Sequence, residues 1–565
     1  MKNMFKMNLS SLKKSRITTI IICLIVISSI SVGFKLSHVD FTTPLINEDV
    51  YVYVLGAFSI VNGDFSQPDR KTLGWSIFIS PFYLFIDSTD LLDYLNITRI
   101  LSIAISTITI IPMYILARRF FDEKYSLVAS SLFAFEPHLN YNSVLGLSEP
   151  IFILGVILTS IFILQKNHNW CFYLSFLLAG IVWWIRFQGL IMVVILSIVF
   201  FVIYKPSSKN FFKYLLCIAL FIIIVSPILI QRYDQFGDPL YFALSDNHFI
   251  GDAYSNYAIN TKDIEYSASD YIQDNGVISF VERFGLTGLH IMVLDMFKML
   301  FPYLIVLVPF GILFSLRTFA QDRDYIKSIW ILLLISLGSI VIQFSIASDM
   351  RFIYHTFPFL IILSTIVIQR IVKHGLSTFS FSEKQKNFFL VGIICVVIIL
   401  SGTFTLRIDT PDKLLNQERI EFSKILTQKF NGKILDVGDT LRLLTYTQLQ
   451  DSPNLFKEFK TSTYDFAIGR ESNIFASGNM LERTVLYAQS LDELIEVGKE
   501  YDLKYIAINQ EQSKTVWYPY LTTFYDEGEN YPFLTNVLDT EKMGFKKFKV
   551  KVFEINYDKF ILNET

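Results

Sequence analysis

Glu48 and Asp49 stand side by side in NEDVYVYVLGA, just past a basic and then apolar N-terminal stretch. A carboxylate at a membrane edge, partly desolvated, can take a proton from a hydroxyl or amide nucleophile, and a neighbouring carboxylate raises its proton affinity. The plain alternative is that the pair solvates the end of a hydrophobic span. The same segment continues through the turn residues Asn62-Gly63-Asp64 and the basic pair Arg70-Lys71 to an apolar run from Leu73 to Ile86, which Pro81 interrupts. Further along lie Glu149 in NSVLGLSEPIF, Arg186 in WWIRFQG, Arg232 in QRYDQFGDP and Arg351 in SDMRFIYHTFP. Guanidinium groups bind phosphate oxygens bidentately, so arginines at the ends of spans suit a lipid phosphate. They suit equally well snorkelling to the interface, or pairing with a local acid, Asp234 for Arg232 and Asp349 for Arg351.

Glu149 precedes Pro150 at the start of an apolar run, where an acid complements the helix dipole and proline is tolerated. Its functional alternative is to accept hydrogen bonds from sugar or acceptor hydroxyls. Glu136 and His138, in FEPHLNYN, could join the first loop as metal ligands, but a lone Glu-x-His is a weak signature, so the metal and cofactor question stays open: a divalent ion is compatible with the reading and not required by it. The four cysteines, Cys23, Cys171, Cys217 and Cys395, all sit in hydrophobic stretches and fit neither a disulfide framework nor a zinc motif.

The elements that must position these residues are transmembrane helices. Of 565 residues, 52% are hydrophobic and only 18% charged, which defines a polytopic membrane protein. Apolar stretches long enough to cross fall near 17–37, 95–117, 145–165, 187–204, 213–231, 291–316, 328–347, 352–372 and 388–405, with shorter ones near 73–86, 125–138 and 170–185. Basic residues cluster at Lys13/Lys14/Arg16, Arg118/Arg119/Lys124, Lys166, Lys205/Lys209/Lys213, Arg317/Arg323/Lys327 and Arg370/Lys373/Lys384/Lys386, and the positive-inside bias makes all of these cytoplasmic.

Crossings between successive clusters must then be even in number. That rule keeps 73–86 out of the count, as a re-entrant or interfacial helix, and promotes 125–138 and 170–185 to spans. The expectation is about 11 spans, N-terminus inside and C-terminus outside, in a membrane region of residues 1–405 with outer loops 38–94 and 232–290. A second region, 406–565, follows as an extracytoplasmic soluble α/β domain. In it GKILDVGD, DLKYIAIN and KFKVKVFEINY read as strands, and ERIEFSKILTQKF and LDELIEVGKEY as amphipathic helices. No Walker motif, GxGxxG fingerprint, CxxC pair or internal repeat is present, which argues against a nucleotide-driven pump.

With that order of features, the chain resembles the GT-C membrane glycosyltransferases, a superfamily that includes protein O-mannosyltransferases, aminoarabinose transferases and oligosaccharyltransferases. The resemblance covers about residues 15–405 and rests on NEDVYVYVLGA, RKTLGW, LGLSEPIFIL, WIRFQGL, QRYDQFGDPLYF and DMRFIYHTFPFL. It implies transfer of a sugar from a polyprenyl- or dolichyl-phosphate carrier to a protein or lipid acceptor at the outer face of the cell membrane, with no nucleic-acid partner. Asp49 then matches the first-loop acid that serves as base, with inversion at the anomeric carbon. Lys71 and Arg351 match basic residues near the carrier phosphate, and Arg70, Arg186 and Arg232 follow them. The lack of a WWDYG-type motif favours transfer of one sugar over a whole oligosaccharide. A transporter or flippase for lipid-linked sugars is the rival reading, and it predicts structural repeats and charges near the bilayer midplane.

Overall fold

The structure is a computed structural model. It describes residues 14–44, 48–66, 71–166, 168, 170–240, 249, 267–316, 323–346, 348–405, 412–437, 447, 450, 459–463, 471–472, 481–484, 486, 488, 490–510, 519–521 and 523–564. Arg70 and most of the loop from 241 to 266 lie outside these residues, as does the side chain of Glu48.

In chain order the helices are α1 (Lys14–His38), α2 (Glu48–Val61), α3 (Gly74–Tyr83), α4 (Leu91–Ile108), α5 (Ile110–Ala117), α6 (Glu123–Ala134), α7 (Pro137–Ser143), α8 (Glu149–Ile163), α9 (Trp170–Ile185), α10 (Leu190–Tyr204) and α11 (Ser208–Phe236). Then come α12 (Ala268–Phe280), α13 (Thr287–Met299), α14 (Leu304–Leu316), α15 (Arg323–Gly338), α16 (Val341–Ile346) and α17 (Phe357–Arg370). The helix Glu383–Thr405 closes the apolar part of the chain. The described residues fall into two compact units, one within 1–40, 96–231 and 281–410, the other within 41–95, 232–280 and 411–565.

The first unit is a helical bundle around α17, whose residues from Phe357 to Ile368 are all buried. A helix that is apolar on every side needs neighbours on every side, and this one has them. Elsewhere the lipid-facing surface is openly apolar: Ile22, Phe212, Ile223 and Ile399 are each more than half exposed. Gly155 lets α8 approach α9, since a Cβ at that position would meet the Val182 side chain at 2.5 Å. Among the described residues eight helices are long and apolar enough to cross a membrane, so the chain is a multi-pass membrane protein.

Two sequence expectations change here. The stretch 291–316, expected as one uninterrupted span, is broken into α13 and α14 at residues 300–303. α14 has 13 residues, about 20 Å of helix, short of the roughly 30 Å hydrocarbon core, whereas α13 ends a longer helical run, Ala268–Met299, that is one of the eight. Hydropathy saw one continuous apolar run and was blind to the break. In addition, the stretches 125–138, 145–165 and 170–185 form α6, α8 and α9, of 12, 15 and 16 residues. None of these reaches the length of the eight, and α6 is buried along almost its whole length. The count of 11 therefore depends on charge parity and not on helix length.

In the second unit, α2 and α3 form a close hairpin. Val50, Tyr51, Tyr53, Val54, Leu55, Ala57 and Phe58 of α2 are buried, as are Trp75, Ile79 and Tyr83 of α3. A Cβ at position 56 would lie 2.7 Å from the Ser76 hydroxyl, so only Gly56 permits this approach. The Ser76 hydroxyl donates to the Tyr53 carbonyl at 2.9 Å.

The tail of this unit folds as a six-stranded sheet of order β2-β3-β1-β4-β6-β5. Its strands are β1 (Lys433–Val437), β2 (Glu471–Ser472), β3 (Glu482–Thr484), β4 (Leu503–Asn509), β5 (Leu534–Asp539) and β6 (Val550–Ile555). β3, β1 and β4 run parallel, β6 adds antiparallel to β4, and β5 adds antiparallel to β6. All but one residue of β4 are buried, the pattern of a strand covered on both faces. The helix Lys413–Lys429 covers one face through Phe422 and Leu426, and Leu491–Glu500 the other through Leu494 and Ile495. Glu418, buried on the first of these helices, accepts from the backbone N–H groups of Lys546, Lys547 and Phe548, each at 2.8 Å.

Candidate functional site

The candidate residues gather into two constellations, one in each unit. In the second unit Asp49 is the second residue of α2, and its Oδ1 lies 2.9 Å from Lys71 Nζ, just before α3. Both side chains are about a quarter exposed, at 29% and 25%, which leaves the pair within reach of water or a ligand. Lys71 Nζ also sits 6.0 Å from the centre of the Tyr53 ring. Beneath them Arg232, fully buried, donates from Nη2 to the Lys71 carbonyl at 3.1 Å and stacks its guanidinium over Phe236 at 5.7 Å. The sequence suggested phosphate binding or an Asp234 pair for Arg232; its guanidinium also holds the backbone of the loop that carries Lys71.

In the first unit Glu149 opens α8 and is buried at 3% exposure. Its Oε1 accepts from Arg186 Nη1 at 2.5 Å and lies 4.0 Å from Arg351 Nη1. Arg351 is itself held by Asp349, which accepts from its side chain at 2.6 Å and from its backbone N–H at 2.8 Å. Two guanidinium groups and two carboxylates thus balance in one cluster. Glu149 Oε2 is buried with no hydrogen-bond partner, and so is Nδ1 of His355, whose ring packs at 5.5 Å on Phe152. Arg186 covers the same ring at 5.8 Å.

His138 pairs with Glu136 at 3.0 Å, and Glu136 is the N-cap of α7, accepting from the Leu139 N–H at 2.6 Å. That cap accounts for the Glu-x-His spacing without a metal. Among the described residues no three His, Cys, Asp or Glu side chains group closely enough to hold an ion.

A third feature of the second unit carried no signal for chemistry in its spacing, which marked Asp64 only as a turn residue. Asp64, in the turn after α2, accepts at Oδ1 from the Ser66 N–H and hydroxyl at 3.0 and 2.6 Å, and at Oδ2 from the Ser462 N–H at 2.8 Å. Partial burial acts to raise the pKa of this carboxyl, but those hydrogen bonds outweigh it and hold the value down to about 2. His355 was equally unremarked, although it lies within a motif already singled out.

The sequence model of the dolichyl-phosphate-mannose-protein mannosyltransferase family matches residues 93–231. The apo oligosaccharyltransferase of Archaeoglobus fulgidus superposes with a TM-score of 0.56 at 11% identity, over 90% of this chain and 70% of that one. The same organism's enzyme AglB, in complex with an inhibitory peptide and a dolichol-phosphate, gives 0.57 at 12% identity over 91% and 71%. The fold is that of the GT-C glycosyltransferases. ArnT from Cupriavidus metallidurans aligns over 94% of this chain and 97% of its own with a TM-score of 0.49 and 10% identity. No curated protein sequence matches the chain. Within this GT-C fold the family match runs from α4 to α11 and takes in Glu149 and Arg186, while Asp49, Lys71 and Arg351 fall outside it.

Proposed function

We propose that the chain is a membrane glycosyltransferase that moves a single sugar from a polyprenyl- or dolichyl-phosphate carrier to a protein or lipid acceptor at the extracytoplasmic face of the cell membrane. The arrangement of about 11 spans, N-in and C-out, and the outward-facing α/β tail belong to this reading. Asp49 takes the proton of the acceptor hydroxyl as its oxygen bonds to the anomeric carbon. The bond from that carbon to the carrier phosphate breaks, the electron pair leaves with the phosphate, and the configuration inverts.

The observation that carries the reading is the Asp49–Lys71 pair at the head of α2. As Asp49 gains a proton its negative charge disappears, while the departing phosphate gains charge. One ammonium beside both groups follows the charge from one to the other, which favours the transition state over the ground state. Arg232 fixes the backbone from which Lys71 reaches. Arg186 and Arg351 already answer carboxylates, so binding a phosphate would require them to exchange partners. Glu149 keeps a role in recognising hydroxyl groups through its unpartnered Oε2.

The test is turnover of purified protein with polyprenyl-phosphate sugars as donors. Asp49→Asn is expected to abolish transfer while the protein still folds, and retained turnover removes Asp49 as base. Mass spectrometry of glycans and glycolipids in a deletion strain then names the sugar and the acceptor.

A further inference from the structure

The far end of α2 is held by a piece of the tail from the same compact unit. The Thr461 N–H and hydroxyl donate to Ser59 Oγ at 2.9 and 3.0 Å. The Ser462 N–H donates to Asp64, and Asn62 Nδ2 donates to the Phe459 carbonyl at 3.0 Å. The Ser59 hydroxyl passes its own proton on toward Asp64, whose Oδ2 and carbonyl oxygen are each 3.1 Å away. Ser59, Phe459 and Thr461 are buried, so the junction is largely dry.

We propose that Ser59 and Asp64 are positioning residues through which the tail segment Phe459–Ser462 sets the placement of Asp49. The proposal rests on the reading of Asp49 as the reacting carboxylate. α2 has only 14 residues, a length at which an isolated helix is marginal, so its order comes from what it touches. Asp49 and Ser59 are about 15 Å apart along one helix axis, and a tilt at the anchored end moves the carboxylate at the other. A misplacement of about 1 Å at a reacting group is enough to cost about a hundred-fold in rate. The tail thus contributes to the reaction without a reacting group of its own, by gripping the helix that carries one.

The experiment uses the full chain in lipid nanodiscs and two variants, Asp64→Asn and Thr461→Val, with Thr461→Ser as the conservative control. Hydrogen exchange at the amides of residues 50–58 reads the hold on α2 without any substrate. The variants should speed that exchange about ten-fold, and Thr461→Ser should restore it. In turnover with polyprenyl-phosphate mannose and the other polyprenyl-phosphate hexoses, kcat should fall about ten-fold in the two variants with the donor KM unchanged. Unchanged exchange, or faster exchange with an unchanged kcat, overturns the proposal. The exchange arm reads the fastening independently of Asp49→Asn, so a failure of the catalytic reading is separable from a failure of this one.

Discussion

The two constellations are made of the same chemical parts and are set differently. Asp49 and Lys71 form an ion pair, each about a quarter exposed, at the start of a short helix. Glu149 is almost fully buried, with Arg186 at hydrogen-bond distance and Arg351, itself tied to Asp349, close by. A lightly covered pair can part and re-form as a substrate arrives, because water or ligand replaces the lost partner. A buried carboxylate between two guanidinium groups cannot, since removing any member leaves charge uncompensated. The first arrangement suits chemistry and the second suits holding the ends of α8 and α9 in register.

That contrast can be broken most directly at Asp49. Asp49→Asn should lower turnover by about 10²–10⁴-fold, the usual worth of a general base, with a thermal midpoint close to that of the parent. Glu149→Gln should do the reverse and destabilise the protein by about 3–5 kcal/mol, seen as a lower midpoint in detergent. If Glu149→Gln instead leaves the midpoint alone and removes turnover, the buried cluster is the reacting one and the assignment inverts.

Lys71→Ala should weaken binding of a polyprenyl-phosphate donor by about ten-fold, equivalent to about 1.4 kcal/mol, measured by equilibrium binding. The smallest effect concerns pH. The Asp64 carboxyl has its pKa lowered from 3.8 to about 2, so its hold on Ser462 is fully present above the unfolded value and fades as pH falls through about 2. Hydrogen exchange at the α2 end should accordingly be flat in this respect from pH 5 to 8 and loosen only in strong acid.

The residue types of the site were legible in the sequence, and the pairing among them was not. Asp49, Lys71, Glu149, Arg186 and Arg351 stand out because each breaks an apolar run or the positive-inside bias. Which acid meets which base depends on helix packing, and no spacing rule links residue 149 to 186 and 351. Hydropathy found the long helices and the strands β1, β4 and β6, whose β-branched and aromatic residues recur around single charges. It missed β5, an edge strand with mixed residues, and the break between α13 and α14. Ser59 and Thr461 carried no signal at all, because a serine in an apolar helix looks the same whether its partner is the preceding turn or a segment 402 residues away.

That last separation has a consequence for how the molecule is made. At roughly 5–20 residues per second, the ribosome reaches Thr461 some 20–80 s after it has finished Ser59. Throughout that interval the first loop exists without the grip that completes it, and β6, which closes the sheet beside β4, arrives later still. Maturation of the newborn polypeptide therefore ends, as well as begins, at its earliest loop.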